Sequence, residues 1–243
     1  MKEYHTREDR MDCYRYRKLC GCIVTAALLG AIVLAVTPYS YSDGVTIITH
    51  GYNPSIASSP LWMASLRDDI AENFTGDEQL YGTITVTGTT NALTATCSPW
   101  SYDLSSASNA EVMIVVDWSA VADHLTKYVT AQSVASAVVA RIVASQNDRP
   151  ALAELPIHLI GHSRGGGMVC EIARQLGEQG IVVDQVTPLD PHPLTTSDTQ
   201  PLDPPFGPGA IIDTPAAIYQ NVTFADVYYQ TASNPGGECL PGP

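Results

Sequence analysis

The sequence predicts an α/β fold: a mostly parallel central sheet flanked by helices. Three observations carry that expectation. Short β-branched runs, "VTIIT" (45–49), "VMIVV" (112–116) and "IHLIG" (157–161), are apolar through their middles, as strands covered on both faces are. Stretches of helical period separate them, "PLWMASLRDDIAEN" (60–73) and "TAQSVASAVVARIVASQ" (130–146), and this alternation implies parallel strands with crossover helices. Finally, a serine enclosed by glycines, "GHSRG" (161–165), directly follows the third run at an expected strand-to-helix bend.

The chain of 243 residues is long enough for one sizeable domain, and 45% hydrophobic against 15% charged residues excludes global disorder. The net charge of −13 is unevenly spread. Six of the twelve basic residues fall in the first eighteen positions, so the remainder carries 6 basic against 21 acidic side chains. A body this acidic repels phosphate backbones, and nucleic acid is not an expected partner. After Arg17-Lys18 comes the uncharged "LCGCIVTAALLGAIVLAV" (19–36), which reads as a secretory signal or a membrane anchor. Residues 1–42 are therefore expected to form a basic, apolar leader, and 43–243 an α/β domain held outside the cytoplasm. Ser40-Tyr41-Ser42 offers a small-x-small cleavage site before Asp43.

Within that domain the elements follow in order. "GVTIITHGYNPS" (44–55) reads as a buried strand and loop. The next helix places Met63, Leu66 and Ile70 on one face, with Pro60 in its first turn. "LYGTITVTGTTNALTATCSPW" (80–100) suggests one or two strands with a loop, and "EVMIVVDWS" (111–119) a central strand. The 130–146 helix starts after a capping threonine. The strand 157–161 leads into a helix from about Arg164 to Leu176, and "GIVVDQVTPLD" (180–190) is a further strand. Proline density from Pro191 to Pro215 predicts a long irregular loop of the kind that walls a site. "NVTFADVYYQ" (221–230) is the last expected strand.

Gly161-His162-Ser163-Arg164-Gly165 fits Gly-x-Ser-x-Gly, in which the serine takes a strained backbone at a strand tip and the glycines leave room for neighbouring elements. A nucleophilic hydroxyl needs two donors for the developing oxyanion. One is the N–H after the nucleophile, Arg164; the loop His50-Gly51-Tyr52, after an earlier strand, places the N–H of Tyr52 as the second. The acid belongs at the mouth of the next strand, where Asp190 stands in "VTPLDP". Asp184 lies inside that strand, and Asp117, also at a strand mouth, precedes the nucleophile and reads as structural.

"VTIITHGY", "VVDWS", "IHLIGHSRGG" and "VTPLDP", in this order and spacing, resemble the secreted lipase branch of the α/β-hydrolase superfamily, that of pancreatic-lipase-like enzymes and similar bacterial proteins. The likeness runs from about Val45 to Asp190. It implies hydrolysis of a small-molecule or lipid ester by a serine–aspartate–histidine triad: Ser163 as nucleophile, Asp190 as acid, the N–H groups of Tyr52 and Arg164 as the hole.

The chain departs from that family at the base, which belongs on a loop after the last strand. Beyond Asp190 only His192 occurs, two residues from the acid, where its ring would have to fold back over its own loop. His162 is expected to point away from the serine, His50 to pack near the oxyanion loop, His158 to project into a packed layer and His124 to lie on the surface. The family also expects a further strand and helix. The chain is thus expected to be truncated before its catalytic histidine, with low activity and an open sheet edge. A non-catalytic relative that keeps the pocket, and a peptidase or thioesterase on the same fold, are the competing readings. No metal or cofactor is expected: the histidines are scattered and no cysteine pair has zinc spacing. Cys170 reads as buried packing, Cys97 and Cys239 as a pair that an oxidising compartment would permit, and Asn73 and Asn221 fit the glycosylation pattern.

Overall fold

A computed structural model describes residues 44–53, 59–73, 78–98, 110–122, 129–145, 151–194 and 213–229. The leader 1–42, His124, Cys239 and most of the proline-dense loop lie outside these residues. Among the described residues no helix is long and apolar enough to cross a membrane.

Seven strands form one sheet: β1 (Gly44–Thr49), β2 (Glu78–Thr89), β3 (Ala92–Ser98), β4 (Ala110–Asp117), β5 (Ile157–His162), β6 (Val183–Leu189) and β7 (Val222–Ala225). Their order is β3-β2-β4-β1-β5-β6-β7. All pairs are parallel except β2–β3, a hairpin turning at Thr90-Asn91. The threonine-rich 80–100 region is therefore two strands. β3 alternates exposed and half-buried positions, as an outer strand with one covered face does. At the opposite end of the order, β7 is four residues long and shorter than the sequence suggests. An isolated parallel bridge from Leu189 to Tyr228 continues its line.

The helices are α1 (Leu61–Asn73), α2 (Ser119–Ala122), α3 (Ala131–Ile142) and α4 (Arg164–Glu178), with a 3-10 turn at Leu152–Glu154. Successive side chains of a strand face opposite ways, so each central strand feeds two cores. Val45 and Ile47 of β1 join Val134, Val138, Met168 and Val169 under α3 and α4. Ile48, in register with Val115 and Ile160, packs on the other face against Met63, Leu66 and Ile70 of α1. All six residues of β1 are buried, which explains a run with no polar alternation except threonines. Thr130 caps α3, its hydroxyl accepting the Ser133 N–H at 3.1 Å. Val143 closes that helix three residues short of the periodic stretch.

Two other expectations on the described residues have structural outcomes. Cys170 is 3% exposed inside the core, and burial pushes its thiol up to about 11, so it remains a protonated packing group. The Asn221 side chain donates to the carbonyls of Ala173 (2.8 Å) and Ile181 (3.1 Å), tying α4 to the approach of β7. A glycan on that nitrogen replaces one of its two hydrogens and would remove at least one of these bonds.

Candidate active site

The carboxyl ends of β1, β5 and β6 lie side by side, and the residues singled out in the sequence stand there. Ser163 follows β5 with φ 56° and ψ −125°, and Asp190 follows β6 with φ 45°. Among the described residues these are the two non-glycine positions with positive φ, a conformation costing on the order of 1–3 kcal/mol each that persists only where the surroundings enforce it. The enforcement is visible. The Ser163 N–H donates to the Leu189 carbonyl at 2.9 Å, and its own carbonyl accepts from Gly166 and His192, both at 2.9 Å. The Asp190 N–H donates to the Tyr228 carbonyl at 2.6 Å.

The glycines are explained by close approach. A Cβ on Gly161 would stand 2.2 Å from the Gly165 carbonyl oxygen and 2.9 Å from Val169 Cγ1, so β5 and α4 touch backbone to backbone. A Cβ on Gly165 would meet the His50 carbonyl oxygen at 2.3 Å. Gly161→Ala is expected to cost about 3 kcal/mol, the upper range of overpacking, because the obstacle is main chain rather than a yielding side chain. Urea unfolding measures it; a loss under about 1 kcal/mol would show that the elbow relaxes easily.

Gly51 brings the expected oxyanion loop onto the serine: a Cβ there would lie 2.8 Å from Ser163 Cβ and 3.0 Å from Ser163 Oγ. Tyr52 follows directly, 38% exposed. Arg164 occupies the first position of α4, where a peptide N–H has no carbonyl within the helix to bond. Its side chain is 1% exposed and has a part that the sequence did not indicate. Nε and Nη2 donate to Asp213 at 2.6 and 3.0 Å, Nη2 also donates to the Val129 carbonyl at 2.7 Å, and the guanidinium stands 5.3 Å over the Trp118 ring. Asp213 comes from the end of the proline-dense loop; periodicity is silent there, and a lone acid after Ile211-Ile212 was the sole clue. The described ends of that loop meet, the Asp213 N–H donating to the Leu194 carbonyl at 2.9 Å.

The histidines take distinct places. His50 is 1% exposed and stacks on Trp118 with ring centroids 5.2 Å apart. Its Nδ1 lies 2.8 Å from the Gly51 carbonyl, which can only accept; the proton is therefore on Nδ1, and Nε2 receives the Trp118 N–H at 3.2 Å. His162 points to α1, where Trp62 meets it edge-on at 5.6 Å; burial lowers its pKa, with Asp190 opposing. His158, expected in a packed layer, is half-buried there in a polar cluster. Its Nε2 lies 2.9 Å from Thr187 Oγ1, which donates to Asp226 at 2.6 Å. His192 is exposed, and its peptide N–H donates to the Ser163 carbonyl at 2.9 Å.

Rival acids are held elsewhere. Asp184 accepts the Ile157 N–H at 2.9 Å at the far end of β5. Asp226 lies two residues short of the rim marked by the Leu189–Tyr228 bridge, with its carboxylate taken up by Thr187 and Gln185. Asp117 accepts the N–H groups of Ser119 (3.0 Å) and Ser59 (3.2 Å). Burial opposes the Asp117 anion, but the neighbouring His50 ring and the N–H and hydroxyl of Ser119 outweigh it, drawing its pKa from 3.8 down to about 2. A depressed folded-state pKa contributes stability above the unfolded value that is lost as pH falls through the folded one. Asp117→Asn is therefore expected to cost up to about 2 kcal/mol near pH 6, with the difference from the parent vanishing towards pH 2. Urea titrations at several pH values between 6 and 2 measure it; a pH-independent difference would assign the effect to packing.

The chain was compared with families, curated proteins and solved structures of known proteins. No curated protein matches the sequence. Among solved structures, the chain is similar to one described as "the putative cell surface hydrolase from Lactobacillus plantarum WCFS1", at 18% identity and a TM-score of 0.34. That similarity covers 61% of this chain and 53% of the other, so the chain spans about half of its length. The model of the family "Alpha/beta hydrolase of unknown function (DUF900)" matches residues 35–191, more than half of the chain, from before β1 to just beyond Asp190. With the parallel sheet and the glycine-packed bend after β5, this match makes the chain a member of that α/β-hydrolase family.

Proposed function

We propose that the chain is a serine hydrolase of carboxylic esters, with Ser163 as nucleophile, Asp190 as the acid and the N–H groups of Tyr52 and Arg164 as oxyanion donors. One observation carries the reading. The serine and the aspartate that the motif singles out hold positive φ at the carboxyl ends of neighbouring strands, with Gly51 pressed against the serine side chain. Strain concentrated at these positions has no packing benefit and suits a hydroxyl presented to a substrate carbonyl.

Attack by Ser163 Oγ on an ester carbonyl would place negative charge on its oxygen, beside the loop of Gly51-Tyr52 and the start of α4. The positive end of the α4 dipole favours that charge. Three described histidines are engaged elsewhere and are not offered as the base: His50 stacks on Trp118, His158 lies against Thr187 and His162 meets Trp62 of α1. The uncharged run at 19–36 behind Arg17-Lys18 supports a domain exported or anchored outside the cytoplasm, with a soluble or lipid ester as substrate.

The test is a fluorophosphonate probe with peptide mass mapping, run beside hydrolysis of p-nitrophenyl butyrate. The expected result is an adduct on Ser163 and Ser163-dependent release of nitrophenol. Turnover of thioesters or peptides alone would move the reading to those substrates, and no adduct on Ser163 would replace it by a binding role.

A further inference from the structure

We propose that Asp213 is a positioning residue: through Arg164, Trp118 and His50, its buried carboxylate holds the two oxyanion-donor segments in register. The proposal rests on the reading of Ser163 as nucleophile and extends it to a residue outside the motif and outside the family match.

Asp213 is 2% exposed, and its carboxylate collects four donors. Oδ1 accepts from Arg164 Nη2 (3.0 Å) and from the Ala131 N–H at the start of α3 (2.7 Å). Oδ2 accepts from Arg164 Nε (2.6 Å) and from the Leu194 N–H (3.1 Å). A fork-to-fork guanidinium–carboxylate pair fixes orientation as well as distance, so the first residue of α4 is clamped from below. The Arg164 guanidinium lies over Trp118; the indole Nε1 donates to the His50 carbonyl at 2.9 Å, and the Trp118 peptide N–H donates to His50 Nε2. His50 in turn bonds the Gly51 carbonyl. One buried column thus runs from Asp213 to both segments whose N–H groups serve as donors. The same carboxylate holds Leu194, two residues after His192, whose N–H bonds the Ser163 carbonyl.

This column does not touch a substrate, so its effect is on geometry. An oxyanion donor displaced by a fraction of an ångström loses most of its preference for the charged state. The experiment measures fluorophosphonate phosphonylation of the full chain, in which Ser163 Oγ attacks phosphorus and fluoride leaves. The rate constant kinact and the probe constant KI are separated per labelled molecule. Asp213→Asn keeps the shape and removes the charge. It is expected to lower kinact about 10–100-fold, with KI changed less than about 2-fold. Asp213→Glu is expected to recover part of the rate. A merely structural residue would reduce the final labelled amount and leave kinact unchanged. Should Asp213→Asn fail to fold, Trp118→Phe probes the column from its other end, keeping the stacking on His50 and removing the indole donor; about a 10-fold fall in kinact is expected. Normal kinact in a folded variant, with the parent chain labelled on Ser163, overturns the positioning proposal alone. No labelling of the parent chain overturns it together with the functional reading.

Discussion

Ser163→Ala is expected to bring p-nitrophenyl ester hydrolysis down to the rate of a catalyst that has only binding and hole, about three orders of magnitude or more below the rate of an enzyme whose triad is complete. The reasoning is geometric. The alanine keeps the strained bend and leaves Gly161, Gly165 and the His50 loop in contact, so substrate still finds the same rim. Only the oxygen is lost. KM is therefore expected to stay close to that of the parent while kcat falls. The measurement is initial rates against enzyme concentration with a mass-verified variant. Parent-like turnover by the alanine variant would remove Ser163 from the chemistry outright.

Arg164→Met is expected to have the largest effect on stability, about 3–5 kcal/mol, because it strands a buried carboxylate. The Asp213 side chain is 0% exposed and would keep only two peptide N–H donors, those of Ala131 and Leu194. For a domain whose total stability is of order 5–15 kcal/mol, that loss approaches unfolding. Adding Asp213→Leu is expected to restore part of it, since no charge then remains buried. Full restoration is not expected: the Ala131 and Leu194 N–H groups would lose their acceptor, each costing about 1–3 kcal/mol. Urea unfolding of the two single variants and the double variant measures this directly. A single-variant loss under about 1 kcal/mol would show that water reaches the pair.

These two outcomes separate what the sequence could show from what it could not. Strands β1, β4 and β5 were legible because a central parallel strand must be apolar along its length, and 45–49, 112–116 and 157–161 are. The bend at Ser163 was legible because three constraints meet in five residues: a strand before, a helix after and backbone contact on both sides. Asp190 was legible as the residue that ends the neighbouring strand. Asp213 was not. Its partner is 49 residues away, and pairing between remote charges leaves no local period. The burial of the Arg164 side chain was not legible for the same reason, since nothing near it in the chain names its partner. The end of the chain's last strand was overestimated because "NVTFADVYYQ" keeps strand composition past Ala225, whereas the Asp226 carboxylate is drawn to Thr187 and the line resumes only as a single bridge at Tyr228.

The clasp between Leu194 and Asp213 has a consequence for how such a scaffold diversifies. Both residues are secured by their own bonds, Leu194 to Asp213 and Asp213 to Arg164 and Ala131, so the ends are held whatever chain joins them. Exchanging that span for one twice as long would raise the closure entropy by only about 0.6 kcal/mol. The span between these two anchor points can therefore be exchanged without disturbing the bonds that fix its ends, and loops of varied length grafted between Leu194 and Asp213 are the natural library for testing what that span contributes.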